Sequence, residues 1–187
     1  MKSFWIVSCI LTLCLAVAPS VRGQSSCNTD SLTKEKNLKK VYYGLRSMER
    51  QCRILPEAYL QYSESALLAE RFNEALWATM KGLEQQQNNN VGSKLKLNQG
   101  LAFLGQDRNE EAIIILKELT LKKNTTNINE DTKQRSHMAL IQAYYQKNKR
   151  KADKNVEFLV NLFYHRYPDS QYTGLLKYWG RQNGTKG

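Results

Sequence analysis

Apolar side chains recur every three or four positions along most of the chain, which is the spacing of amphipathic helices. No segment of the sequence shows the strict alternation that is typical of a half-buried strand. We therefore expect an all-α protein. The predicted helices cover about residues 31–52, 56–69, 72–84, 93–104, 108–122, 130–146, 156–167 and 170–179.

Polar residues and glycine mark the boundaries between these helices. The amide-rich segment 85–90 and Gly92 predict a break before the fourth helix. Asp107 and Glu110 have the spacing of a capping box at the start of the fifth helix. Asn129, followed by two acidic residues, predicts the start of the sixth helix.

Two helical hairpins share one internal pattern. In each, a small residue lies in the first helix, a polar turn follows, and an alanine stands where the second helix crosses the first. Ser63 and Ala75 hold the small and crossing positions of one hairpin, and Gly100 and Ala112 hold those of the next. A hairpin of this kind cannot bury its apolar face alone, so it stacks on its neighbours. The sequence therefore predicts a helical repeat.

These positions resemble the tetratricopeptide repeat family, with Phe72 as the aromatic near the first turn and Phe103 as the large residue three positions after Gly100. The second copy has Asn109 in place of the turn aromatic, and Val156 takes the crossing position of a looser third copy. Crossing residues 75 and 112 are 37 residues apart and residues 112 and 156 are 44 apart, against a family period near 34. The resemblance covers residues 56–181 and is greatest to bacterial periplasmic members. It implies a right-handed α-solenoid with an extra N-terminal helix and a C-terminal capping helix.

The resemblance also implies a concave groove, formed by one face of the first helix of each hairpin. The residues carried onto that face are Leu60, Glu64, Leu67, Lys94, Leu97, Leu101, Met138, Gln142 and Tyr145. Apolar side chains predominate, which favours an amphipathic helix or an extended peptide as the ligand. We expect a partner protein, bound within a cell-envelope complex. The alternative is that these side chains pack between the hairpins.

The first 23 residues have the pattern of a secretory signal. Lys2 precedes an apolar run over 4–18, Pro19 breaks it, and small residues up to Gly23 suit a signal peptidase. An uncleaved anchor is the alternative. We expect an exported protein, periplasmic or otherwise secreted, divided into a signal (1–23), a tether and helix (24–55), the repeat domain (56–181) and a disordered tail (182–187).

The mature protein is expected to be strongly basic. Removal of residues 1–23 takes away two cations and no acid, so 26 basic side chains face 17 acidic ones, a net charge of +9. A cluster of cations falls between the last two predicted repeat helices. It consists of Lys147, Lys149, Arg150, Lys151 and Lys154. These side chains are either a solvated turn or a contact for an anionic envelope polymer or lipid surface. Nucleic acid is not an expected partner of an exported protein.

The predicted cleavage leaves two cysteines, Cys27 and Cys52. Two cysteines in an exported protein most often pair, so we expect a disulfide, with two free thiols as the alternative. We expect neither a cofactor nor a metal site.

No catalytic motif is present in the sequence, and we expect a protein that is not an enzyme. His137 and His165 are expected to be surface or packing residues. Asn124 and Asn183 begin glycosylation sequons, which matter only in a eukaryotic secretory pathway.

Overall fold

The structure is a computed structural model that describes residues 25–85, 89–121 and 128–182. The predicted signal segment, both glycosylation sequons and the tail after Gln182 lie outside these ranges. Within them the chain forms helices α1 (Asp30–Thr33), α2 (Leu38–Met48), α3 (Pro56–Leu68), α4 (Phe72–Gln85), α5 (Asn89–Gly105), α6 (Asn109–Thr120), α7 (Glu130–Lys147), α8 (Lys154–Arg166) and α9 (Tyr172–Gln182).

The described ranges contain one strand-like pairing, an isolated parallel bridge between Ser26 and Arg53. The prediction of an all-α protein is confirmed. None of the helices in these ranges combines the length and the apolar character that crossing a bilayer requires.

Three helical hairpins, α3–α4, α5–α6 and α7–α8, share one turn geometry. The turn residues Glu70, Asp107 and Lys149 have φ of 56°, 56° and 55°, which is the left-handed region. The backbone N–H of the next residue then donates to a carbonyl five positions back, as in a Schellman motif. These bonds run from Arg71 to Ala66 (2.8 Å), from Arg108 to Phe103 (2.9 Å) and from Arg150 to Tyr145 (2.9 Å). The three turns therefore share this Schellman bond, and the third differs in that Arg150 also has a positive φ, of 62°.

The hairpins pack in chain order, and their first helices also contact one another. Helix α3 packs against α5, and α5 packs against α7. The three crossing residues Ala75, Ala112 and Val156 are fully buried. Close approach at the second crossing requires a glycine, because a Cβ built on Gly100 would lie 2.7 Å from a methyl of Leu116.

The third hairpin has a longer turn than the other two. Helix α4 begins directly after Arg71 and α6 directly after Arg108, whereas three residues separate Arg150 from the start of α8 at Lys154. The crossing residue follows the turn arginine by four positions in the first two hairpins. In the third hairpin Val156 follows Arg150 by six positions. The insertion explains part of the wider spacing that the sequence shows.

Three predicted boundaries are wrong. The single helix over 31–52 is two helices, because the Asn37 side chain accepts from the backbone N–H of Lys39 at 3.1 Å and begins α2 there. Gly92 does not break the chain but lies buried inside α5, where packing outweighs the low helix propensity of glycine. The last helix continues to Gln182 instead of ending at residue 179.

The predicted capping box is also absent. Asp107 takes the left-handed position of the α5–α6 turn, so its side chain is not at the N-cap of α6. Asn129 does cap α7 as predicted, since its side-chain oxygen accepts from the backbone N–H of Asp131 at 2.8 Å. Pro56 occupies the first turn of α3, where its missing N–H leaves no bond unmade.

Candidate functional site

A groove of about 510 Å³ lies on the face formed by α3, α5 and α7. We call it the inner groove. Its walls consist of Glu64, Leu67, Leu68, Asn98, Leu101 and Arg135. Leu68 is 89% exposed, and Leu67 and Leu101 are half-buried. The groove therefore has three leucines in its walls that a ligand can cover.

A buried hydrogen bond fixes the floor of the inner groove. The side-chain N–H of Asn98 on α5 donates to Ser63 Oγ on α3 at 2.8 Å. The Ser63 hydroxyl in turn donates to the carbonyl of Leu60 at 2.7 Å. Because the amide and the hydroxyl satisfy each other, two polar side chains are buried here at low cost. The bond also fixes the relative position of the first helices of two hairpins.

Charges of opposite sign stand on the two outer walls of the inner groove. Glu64 on α3 is exposed and has no ion-pair partner among the described residues. Arg135 on α7 is half-exposed and lies 3.8 Å from Asp131, a distance typical of a weak surface pair. A ligand in the groove therefore meets an acid beside α3 and a base beside α7.

The structure brings three of the nine predicted groove residues together. Glu64, Leu67 and Leu101 line the inner groove. The prediction for Leu97 is wrong, because this side chain is 2% exposed and belongs to the core that α5, α6 and α7 share. The remaining predicted residues do not form walls of the inner groove. They are Leu60, Lys94, Met138, Gln142 and Tyr145.

Three groove residues were missed, although the helical spacing contains a signal for each. Leu68 lies four residues after Glu64, and Arg135 lies seven before Gln142, so both share a face with predicted residues. Asn98 follows Leu97 directly, which places it about 100° further around α5. Asn98 also lies three residues before Leu101, which was predicted correctly, so both share one face of α5.

The five predicted cations between α7 and α8 are all exposed. We call Lys147, Lys149, Arg150, Lys151 and Lys154 together the basic turn. Lys147 Nζ lies 3.1 Å from Glu110 Oε1 in the first turn of α6. The other four cations form no ion pair within the part of the chain that the structure describes. Most of the positive charge of the basic turn is therefore directed to solvent.

The two ends of the N-terminal segment are joined to each other at two points, just before α3. Cys27 and Cys52 form a disulfide with their Cα atoms 5.4 Å apart, as the sequence predicts. The backbone N–H of Cys27 also donates to the carbonyl of Arg53 at 2.8 Å. The linkage closes the chain around α1 and α2.

His137 is a packing residue between α7 and α8. It is fully buried, and its Nε2–H donates to the carbonyl of Leu159 at 3.0 Å. Its ring meets those of Phe163 and Tyr167 edge-on. Burial lowers the pKa of His137 to about 4, and the positive charge of Arg166 acts in the same direction. The neutral ring is therefore part of the core at neutral pH.

No group of three or more potential metal ligands occurs in the described ranges. His165 is exposed at the end of α8, apart from the buried ring of His137.

Comparison of the chain with protein-family models, with curated proteins and with solved structures finds no match.

Proposed function

We propose that this protein is a non-catalytic adaptor with a tetratricopeptide-like repeat domain. Its three hairpins form a right-handed superhelix, preceded by α1 and α2 and capped by α9. The support is the shared turn geometry of the hairpins together with the packing of α3 on α5 and of α5 on α7. In such a stack the first helices line the concave side.

The ligand of the adaptor is a segment of a partner protein that binds in the inner groove. The observation that carries this proposal is the exposed Leu68 in a groove that Leu67 and Leu101 also line, with the opposite charges of Glu64 and Arg135 on its α3 and α7 walls. An amphipathic helix or an extended peptide can cover these leucines and place polar groups at the rim. Burial of one leucine side chain contributes about 1.5 to 3 kcal/mol, enough to dominate a small interface.

The proposed location is the periplasm, in a complex that assembles or maintains the cell envelope. The pattern of residues 1–23 favours export. The disulfide between Cys27 and Cys52 also supports an oxidising compartment, because such bonds are rare in the reducing cytosol of most organisms.

Capture of the partner from the protein's own cells tests the proposal. Wild-type protein and a Leu68→Asp variant are compared as bait at low salt and at about half-molar salt, where the screening length falls to about 4 Å. We expect the captured partner to persist at high salt, because apolar burial is not screened. We expect Leu68→Asp to reduce its recovery about 10-fold or more.

Ile114→Asp is the matched control. Ile114 is also an exposed aliphatic side chain, 62% accessible, but it lies on the second helix of its hairpin and not in the inner groove. It should leave capture unchanged. Equal losses from both variants, or loss of the partner from wild-type protein at high salt, would show that the inner groove is not the binding site.

A further inference from the structure

The three hairpin turns lie side by side along one edge of the repeat domain. The side chain of Gln106 in the second turn donates to Asn73 Oδ1 beside the first turn at 2.7 Å. Lys147 beside the third turn pairs with Glu110 beside the second at 3.1 Å. Any difference in charge among the turns is therefore displayed along a continuous edge.

The first two turns carry no excess of positive charge. Each has an acid at the left-handed position, Glu70 or Asp107, followed by an arginine. Each arginine also pairs with a glutamate three residues later. The pairs are Arg71 with Glu74, and Arg108 with Glu111 at 2.9 Å.

The third turn departs from this pattern in both respects. Its left-handed residue is Lys149, and its arginine, Arg150, forms no ion pair within the described residues. The acid three residues later, Asp153, instead caps α8 by accepting from the backbone N–H groups of Asn155 at 3.1 Å and Val156 at 3.0 Å. Its carboxyl therefore binds the start of α8 and forms no ion pair with Arg150.

The carboxyl of Asp153 remains ionised in this role. Burial would raise its pKa, but hydrogen bonds from the Val156 backbone and from the Asn155 side chain outweigh burial and lower it. The negative charge stabilises the N-terminus of α8. Apart from Lys147, the cations of the basic turn thus have no ion-pair partner among the described residues.

An exposed aromatic side chain continues the same surface. Phe158 is 60% accessible and lies four residues after Lys154, on the same face of α8. Cations beside an exposed aromatic ring are typical of proteins that bind at a lipid–water interface, where headgroups attract the charges and the ring enters the boundary.

We propose that the basic turn and Phe158 form a docking surface for a membrane whose headgroups are anionic. Lys149, Arg150 and Lys151 contact lipid phosphates, and Phe158 inserts beside them. The turn residues and Phe158 are separate from the walls of the inner groove, so the adaptor can bind a membrane and a partner protein together.

Sedimentation with vesicles tests this proposal. The protein as exported by its expression host is mixed with vesicles that contain about one third phosphatidylglycerol, or none, in phosphatidylcholine. We expect binding only to the anionic vesicles, and it should weaken steeply from low to half-molar salt. The triple variant Lys149→Gln, Arg150→Gln, Lys151→Gln should bind about 100-fold more weakly, since each cation near such a surface contributes about one kcal/mol.

Lys34→Gln, Lys36→Gln, Lys39→Gln is the matched control. It removes the same charge from exposed lysines around the start of α2. Every variant is prepared with the same N-terminus, so the contribution of the N-terminus to vesicle binding is the same in all of them. The control should bind nearly as well as wild type, and equal losses from both triple variants would overturn the proposal.

Phe158→Ser separates a lipid surface from an acidic protein as the partner. We expect about a 5-fold loss of vesicle affinity, because the inserted ring contributes by apolar burial. The opposite outcome is that Phe158→Ser binds vesicles as well as wild type does, and that wild type binds soluble polyglutamate tightly and in a salt-sensitive way. That result would show that the partner is an acidic protein and not a membrane.

Discussion

The side-chain amide of Asn98 donates a 2.8 Å hydrogen bond to the hydroxyl of Ser63, and both side chains are buried. The bond joins the first helices of two successive hairpins directly beneath the inner groove. It therefore fixes the groove geometry as well as contributing to stability.

Ser63→Ala should lower the free energy of unfolding by about 1 to 3 kcal/mol, because it leaves a buried amide N–H without an acceptor. Urea denaturation followed by circular dichroism measures the change. Ser65→Ala on the same helix is the control. Its hydroxyl makes only an exposed bond to the carbonyl of Gln61, so this substitution should change stability by less than about 0.5 kcal/mol. Similar losses from both would contradict a special role for the Ser63–Asn98 bond.

The contact between Phe72 and Gly105 predicts an unusual response to alanine. Glycine to alanine within a helix ordinarily stabilises by about 0.5 to 1 kcal/mol. A Cβ on Gly105, however, would lie 2.3 Å from the Phe72 ring, whereas one on Gly174 would meet no atom within 4 Å. We expect Gly105→Ala to lower the melting temperature and Gly174→Ala to maintain or raise it. An increase for Gly105→Ala would show that α4 and α5 are not packed this closely.

Ala112 is predicted to tolerate no large side chain. It is fully buried at the crossing of α5 and α6, and overpacking of such a site costs about 1 to 3 kcal/mol. Ala112→Trp should therefore lower the melting temperature by several degrees. Ile114→Trp is the control, since that side chain is exposed on the same helix. If the two variants melt alike, the repeat register is incorrect.

The helices and their crossings could be predicted from the sequence because burial imposes a regular period. Ala75 and Ala112 repeat at fixed distances from apolar neighbours, and Asn129 caps α7 by a local bond that a short motif specifies. A local pattern failed where a second local motif competes with it. Asp107 has the spacing of a cap, yet the Schellman turn needs it in a left-handed conformation.

The inner groove was predicted only in part for a related reason. A helical face is known from sequence to within about one residue, or 100° of rotation. Because of that uncertainty, the prediction placed Leu97 in the groove and omitted Asn98. In the structure Leu97 is buried in the core and Asn98 lines the groove. Which of two neighbouring positions faces outward depends on how α5 packs against α3 and α7, which the period of one helix does not specify.

The disulfide should contribute substantially to stability. Cys27 and Cys52 are 25 residues apart, and closing a loop of that length stabilises the folded state by about 3 kcal/mol in the chain-entropy model. Mass spectrometry of unreduced protein should find one linked pair of peptides. Reductant should lower the urea midpoint of wild type but not that of a Cys27→Ala, Cys52→Ala variant. Two alkylatable thiols in natively exported protein would refute the pairing.

His137 should make the protein sensitive to mild acid. Its pKa is about 4 in the folded state and lies near its usual 6.5 in the unfolded chain. Between these values the unfolded state binds more protons, so stability is lost as the pH falls from 6.5 towards 4 and is fully present above 6.5. At pH 5 the expected loss from this group is about 2 kcal/mol.

Denaturation midpoints between pH 4 and 7.5 test this, with His137→Gln as the informative variant. Its amide N–H can replace the donor to the Leu159 carbonyl but does not titrate, so the stability of the variant should decline less steeply below pH 6.5. Exposed His165→Gln should follow the wild-type curve, because that ring is in solvent in both states. Wild-type and His137→Gln curves that remain parallel throughout this range would show that the buried ring is not the acid-sensitive group.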